Sequence, residues 1–381
     1  MKIVFISSQD PHNRIARSGV PYSIYHQLAK DNEMIWIKPD LNHGMAKVYN
    51  EILHLFYGLL RKIFGWNVMH TPAKSKLLCK SIQKQLDRVD YDCIFTMGSP
   101  ETAYLKTAKP IFCRTDAIIQ SFPDYYIYNV PKFARKWADK VERKALSNYT
   151  RFFVPSQWVI DEIKKFHINE PLDKFVLVET GANLDMDYIC CNKHTYSLEK
   201  PLNMLLVGYD VKRKGIDEAF VATKILNEQY HIEAKLTVVG GKPEQYMLDS
   251  GFVRYAGNKN KNNKKELDEF YDEFAKADLF IFPTKAECHG IVNCEAAAYG
   301  LPIFSYQTGG VPSYCIDGVN GRCLSLSATG SDFADAIYGA LKNGQLNLFS
   351  EASCKLFKER FNWDVWGEKV RRIMIKDIKG N

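Results

Sequence analysis

Nowhere in its 381 residues does this sequence hold an apolar run fit to cross a membrane as a helix. The longest stretch without a charge, Ala296 to Ile316, contains Pro302, Pro312, Gln307 and the Gly309-Gly310 pair, which exclude a spanning helix. At the amino end only Ile3-Val4-Phe5-Ile6 separates Met1-Lys2 from Ser7-Ser8-Gln9-Asp10, too short an apolar region for a secretory leader. The ten cysteines include no CxxC pair, and Cys93, Cys113 and Cys294 sit inside apolar runs. Buried reduced thiols and a cytoplasmic location are expected, rather than a disulfide framework. A GxGxxG turn is missing, which argues against a nicotinamide oxidoreductase. Short-period repeats and low-complexity tracts are missing too. The charge excess is small: 51 Lys and Arg against 44 Asp and Glu give +7, too mild to call for nucleic acid but compatible with a phosphorylated ligand or an anionic surface.

What is present is a regular rhythm. With 46% apolar and 25% charged residues the chain can bury sizeable cores, and its length suits two domains. Short β-rich runs are predicted at Ile3–Ile6, Met34–Ile37, Cys93–Met97, Ile111–Arg114, Phe152–Val154 and Phe175–Val178. They resume at Met204–Val207, Leu236–Val239, Val253–Ala256, Leu279–Phe282 and Pro302–Ser305. Helical patterns intervene at Pro21–Lys30, Lys132–Ser147, Ile216–Gln229, Lys264–Lys276 and Ile291–Tyr299. Such alternation argues for βαβ units and parallel sheets covered on both faces. The rhythm pauses at the polar Cys191–Pro201 segment, read as a linker between two doubly wound domains, 1–194 and 201–363. The last segment, 364–381, reads as a helix with Asp364 as its N-cap, expected from topology to pack back on the first domain. The Lys259–Lys265 run reads as a solvated loop.

In parallel α/β sheets ligands bind beyond the carboxyl ends of strands, where helix N-termini present backbone N–H groups. Four turns there carry unusual residues. Ser18-Gly19-Val20-Pro21 opens a helix after the first strand, with Ser18 suited to the N-cap and Gly19 to close backbone approach; an anion site and an ordinary capped helix both fit. Gly208-Tyr209-Asp210-Val211-Lys212-Arg213-Lys214-Gly215 puts three cations before a helix, enough to neutralise a diphosphate; a solvated basic turn is the competing reading. Glu179-Thr180-Gly181-Ala182-Asn183 reads as a tight loop, and the following Asp185-x-Asp187 occurs at chance frequency, so no metal is assigned. The richest is Pro283-Thr284-Lys285-Ala286-Glu287-Cys288-His289-Gly290-Ile291-Val292-Asn293-Cys294-Glu295. Here the N–H groups of Gly290 and Ile291 would face a phosphate, with the adjoining Val292 also expected at the donor, while Glu287 and Glu295 accept from hydroxyl groups. His289 fits a ligand contact, a base or a plain loop histidine.

Glu287 to Glu295 resembles the E-x7-E signature of retaining glycosyltransferases of family 4, the GT-B enzymes that use nucleotide sugars. Tyr299-Gly300-Leu301-Pro302, Thr308-Gly309-Gly310-Val311 and Asp317-Gly318-Val319-Asn320-Gly321 are similar to that family's continuation. Gly208 through Gly215 is similar to its diphosphate turn, and Ser18-Gly19 to its N-terminal glycine loop. Val154-Pro155-Ser156-Gln157-Trp158 and Gly181-Ala182-Asn183 also fit. The resemblance implies two Rossmann-like domains with an interdomain cleft, the first for an acceptor and the second for a nucleotide sugar. It further implies that Glu287 bonds the donor sugar, Glu295 the ribose, and Arg213 and Lys214 the pyrophosphate, and that Gly19 lets its loop approach phosphate or acceptor. Two departures are visible. Cys288-His289 replaces the common Gly-Phe, and Tyr209 stands where many members have Arg, so the charge rests on Arg213.

The expected chemistry is front-face transfer with retention, without metal or other cofactor, the nucleotide diphosphate sugar being the donor and a glycan or lipid-linked molecule the acceptor. Cell-surface polysaccharide or lipopolysaccharide assembly would be its setting. Asp116, in Arg114-Thr115-Asp116-Ala117, sits where the family places an acceptor-side polar residue; a base, an N-cap and a loop aspartate are the readings open to it. A GT-B epimerase or phosphorylase, or a noncatalytic nucleotide-sugar-binding protein, are the competing functions. A last feature lies in Met45–Asp90, where eight Lys or Arg face three acidic residues around the apolar Ile52–Trp66. Lys132–Lys165 is basic as well. An anionic membrane surface and a core-facing helix with solvated lysines both fit.

Overall fold

The computed structural model describes residues 1–167, 169–185, 191 and 195–380. Two compact units emerge. The first comprises Met1–Val178 and Gly367–Asn381, the second Glu179–Trp366.

In the first unit the chain runs β1 (Lys2–Ile6), α1 (Val20–Ala29), β2 (Glu33–Ile37), α2 (Gly44–Phe64), α3 (Pro72–Leu86), β3 (Cys93–Thr96), β4 (Ile111–Arg114), α4 (Lys132–Leu146), β5 (Arg151–Val154), α5 (Gln157–Phe166) and β6 (Phe175–Leu177). The six strands form one parallel sheet in the order β2-β1-β3-β4-β5-β6. Ile3–Ile6, Cys93–Phe95 and Phe152–Val154 are fully buried. Such continuous apolar strands are what a sheet covered on both faces demands.

The second unit continues with β7 (Leu202–Gly208), α6 (Ile216–Glu228), β8 (Ala234–Gly240), α7 (Gln245–Leu248), β9 (Val253–Tyr255), α8 (Lys264–Ala275), β10 (Leu279–Phe282), α9 (Ile291–Ala298), β11 (Ile303–Tyr306), β12 (Gly321–Leu324), α10 (Gly330–Lys342) and α11 (Gln345–Glu359). Its sheet, also parallel, has the order β12-β11-β10-β7-β8-β9, the Rossmann order. Alternate residues feed two cores. Met204 and Leu206 join Ile216, Leu226 and Phe333 on one face. Leu205 and Val207 join Phe270, Phe274 and Tyr299 on the other. The reversal of strand order falls between β7 and β10, which places the ligand crevice at the carboxyl ends of those two strands.

Several expectations need correction. The boundary falls at Val178–Glu179, not at Cys191–Pro201, because the segment after Val178 is hydrogen-bonded into the second unit: Thr180 N–H donates to the Tyr314 hydroxyl at 3.0 Å, Ala182 N–H to the Phe361 carbonyl at 2.9 Å, and Asp185 N–H to the Tyr271 hydroxyl at 3.1 Å. Asp187 lies outside the described residues. β12 escaped prediction because Gly321-Arg322-Cys323-Leu324 is short and little buried beyond its glycine. The last helix, α12 (Trp363–Lys379), begins earlier than expected, and its cap is Asn362, whose Oδ1 accepts from Val365 N–H at 2.9 Å. From Gly367 on it belongs to the first unit, held by ion pairs of Arg371 with Asp31 and of Arg151 with Asp377.

Candidate functional site

The residues singled out in the second half of the sequence meet at the β7–β10 switch point. After Gly208 the chain turns through Tyr209–Lys214 into α6, whose N-cap, Gly215, has φ 73°. A Cβ there would lie 2.1 Å from the Pro283 carbonyl oxygen, so only glycine lets this turn close against the end of β10. Across that contact Arg213 donates to the Ala286 carbonyl at 2.8 Å and approaches Glu287 Oε2 at 3.3 Å. Lys214 Nζ bonds the same Oε2 and stands 4.5 Å over the Phe282 ring. Two cations therefore share one carboxylate oxygen in a largely buried pocket. Burial alone would raise the Glu287 carboxyl, but Lys214, with Arg213 and His289, outweighs it and holds Glu287 below the usual carboxylate range. Burial lowers Lys214 from the usual lysine range, with Glu287 offsetting only part of the effect.

The second carboxylate belongs to α9. Gly290 caps this helix at φ 70°, and Glu295, fully buried, follows in its second turn. Its Oε1 accepts from Lys261 Nζ at 3.0 Å, and Lys261 lies 4.0 Å over the Phe270 ring. Burial raises Glu295, and Lys261 offsets part of the rise. The lysine run at 259–265 is thus not all solvated: Lys259 pairs with Glu269 at 2.6 Å and Lys261 with Glu295. Composition hid this, because an Asn- and Lys-rich loop looks the same whether or not one ammonium has a buried carboxylate within reach. His289 is buried 6.2 Å from the Tyr314 ring, and Gly310 N–H donates to the Glu287 carbonyl at 3.1 Å, fixing the loop from β11. Tyr209 is exposed.

Gly208, Arg213, Lys214, Glu287, His289, Gly290, Ile291, Val292 and Glu295 all lie in this one region of the second unit. Gly19 and Asp116 lie in the first unit. Gly19, at φ 83°, rather than Ser18, caps α1, and the preceding Arg17 and Ser18 are left-handed too, at φ 46° and 57°. For non-glycine residues that conformation costs roughly 1–2 kcal/mol each. The turn is held by Arg17, which donates to the Met97 carbonyl at 2.9 Å and to Asp116 Oδ2 at 3.0 Å. The other Asp116 oxygen accepts from the buried Arg114. An aspartate shared by two guanidinium groups is suited to fixing this turn, a role that sequence reading did not give it.

Beside it lies a cavity of about 390 Å³ lined by Arg17, His70, Ser99, Glu101, Thr115 and Glu142. Glu142 accepts from Ile119 N–H at 2.7 Å, and burial pushes its carboxyl up to about 8. An unfolded glutamate titrates near ~4.3, so the folded state holds the extra proton between those values and stability falls as pH rises across that window. Glu142→Gln keeps an acceptor for Ile119 and removes the charge. Its melting temperature relative to the native chain should therefore climb between about pH 5 and pH 8, by the equivalent of a few kcal/mol, on the order of that linkage. Parallel thermal melts check this, and a difference constant with pH would contradict it. A separate cavity, about 360 Å³, lies at the amino ends of β7, β8 and β9 between Lys235 and Arg254, away from the groups above.

Comparison with known proteins agrees with this architecture. The fold is that of the two-domain α/β GT-B glycosyltransferases. Anabaena HepE, solved with UDP and glucose, superposes with a TM-score of 0.65 at 14% identity over 99% of this chain and 100% of its own. WaaG, a glycosyltransferase involved in lipopolysaccharide biosynthesis, superposes with a TM-score of 0.63 at 16% identity, over 98% and 99% of the two chains. Residues 193–372 match the family model described as Glycosyl transferases group 1. In sequence, the lipopolysaccharide glucosyltransferase WaaG of Escherichia coli K12 is 26% identical over 212 residues, 52% of this chain and 55% of WaaG. An uncharacterized glycosyltransferase of Methanocaldococcus jannaschii is 24% identical over 205 residues, 53% of each chain. The chain spans about half the length of these curated relatives.

Proposed function

We propose that the second unit binds a nucleotide diphosphate sugar and that the protein transfers the sugar, with retention, to a glycan or lipid-linked acceptor held by the first unit. The observation that carries this reading is the sharing of Glu287 by Arg213 and Lys214 at the β7–β10 switch point, beside the N-terminus of α9. A diphosphate arriving there would draw both cations and the Gly290, Ile291 and Val292 amides to itself, since its charge exceeds that of one carboxylate. Glu287, relieved of its partners, would then accept from hydroxyls of the donor sugar, and Glu295 from the ribose. Breaking the sugar–phosphate bond builds negative charge on the diphosphate and positive character on the sugar. Preorganised cations and helix amides stabilise the first. The leaving phosphate oxygen takes the acceptor proton in a front-face substitution. Asp116, with its oxygens on Arg17 and Arg114, positions the Arg17 turn in this scheme and does not take the proton. The similar WaaG is a lipopolysaccharide glucosyltransferase, and a place in surface-glycan assembly suits the same chemistry.

A thermal-shift panel of nucleoside diphosphates and their sugars, each with and without EDTA, tests the reading. A true donor at about 100 times its Kd should raise the melting temperature by roughly 5 °C or more, with or without chelator. No shift with any nucleotide would overturn it, and a shift abolished by EDTA would overturn its metal-independence.

A further inference from the structure

We propose that α2 and α3 of the first unit form a docking surface for an anionic lipid bilayer, with α2 lying in the interface and α3 binding lipid phosphates. A single stripe of α2, Met45, Val48, Ile52, Leu55, Leu59 and Ile63, is exposed along the whole helix, Met45 by 81% and Leu55 by 75%. The spacing is helical, so the stripe is one continuous face about 30 Å long. It is a second apolar face, distinct from the one that seats the helix: Leu53 is buried, and Tyr57 donates to the Thr71 hydroxyl at 3.0 Å. An apolar strip of that extent is far more than the scattered surface leucines of a soluble protein.

Charge identifies the occupant. α3 carries Lys74, Lys76, Lys80 and Lys84 and no acidic residue. Lys76, Lys80 and Lys84 line one edge of a groove of about 890 Å³ whose other edge is Met45 and Tyr49 of α2. Among the described residues no ion pair engages these three lysines, and their spacing makes them repel one another. A second copy of this chain meeting the same face two-fold would set lysines against lysines. A bilayer with anionic headgroups meets both halves of the surface, the stripe entering the acyl boundary and the lysines reaching the phosphates. The inference is independent of donor chemistry and stands or falls separately from it.

Flotation with phosphatidylcholine vesicles, with and without phosphatidylglycerol, tests it on the full chain. The protein should float with anionic vesicles and be released by high salt. Leu55→Glu/Leu59→Glu should lower partition by at least about tenfold. Lys80→Gln/Lys84→Gln should weaken partition and flatten its salt dependence. Both variants alter exposed side chains, so their melting temperatures should match the native chain. Absence of anionic-vesicle binding, or binding indifferent to Leu55→Glu/Leu59→Glu, would overturn the proposal. So would a self-associated native chain, by sedimentation, that the leucine variant dissociates while vesicle partition stays unchanged.

Discussion

Lys214→Met should lower turnover by about a thousandfold and weaken nucleoside diphosphate binding at least about tenfold. The ammonium has two duties. In the resting protein it is the largest attractive influence holding Glu287 ionised in a buried pocket. In the proposed complex it meets the diphosphate. Removing one partner of a buried pair leaves the other uncompensated, at a cost of roughly 3–5 kcal/mol, of which Arg213, 3.3 Å from the same oxygen, would offset a part. The carboxyl of Glu287 should therefore titrate higher in the variant, so acidification should cost the variant less stability than it costs the native chain. Titration calorimetry with the nucleoside diphosphate, together with melts across acidic pH, checks both parts. Unchanged affinity would remove Lys214 from the phosphate site.

Glu287→Gln should separate binding from catalysis. The amide keeps the shape of the side chain but no longer competes with a phosphate for Lys214 and Arg213. Affinity for the nucleoside diphosphate alone should be unchanged or tighter, whereas turnover of the intact donor should fall by at least about a hundredfold. Only Lys214→Met thus weakens diphosphate affinity, while both mutants lose turnover. A Glu287→Gln protein that loses affinity for the diphosphate would mean that Glu287 maintains the site rather than meeting the sugar.

The parallel sheets were legible in the sequence because strands buried on both faces read as uninterrupted apolar runs, as at Ile3–Ile6 and Leu279–Phe282. The Glu287–Glu295 segment was legible because short spacing along one loop and one helix fixes which groups converge. Contacts made across sequence were not. Nothing near Lys261 announces that it reaches Glu295, and nothing near Asp116 announces two guanidinium partners, because both depend on where separate βα turns meet. The Cys191–Pro201 linker was misplaced since polarity marks exposure, whereas the boundary is set by the hydrogen bonds of Thr180, Ala182 and Asp185. For Ile52–Trp66 the sequence left a core helix and a surface helix equally open; only the packing of Leu53 inward, with Leu55 and Leu59 outward, separates them.

The most direct measurement of the central claim is proton NMR of a donor identified by thermal shift, incubated with the native chain and a candidate acceptor. Release of the nucleoside diphosphate, with the first-formed product keeping the donor's anomeric configuration, is the predicted result. An inverted product would contradict retention, and no release from any bound donor would leave a nucleotide-sugar-binding protein in place of a transferase.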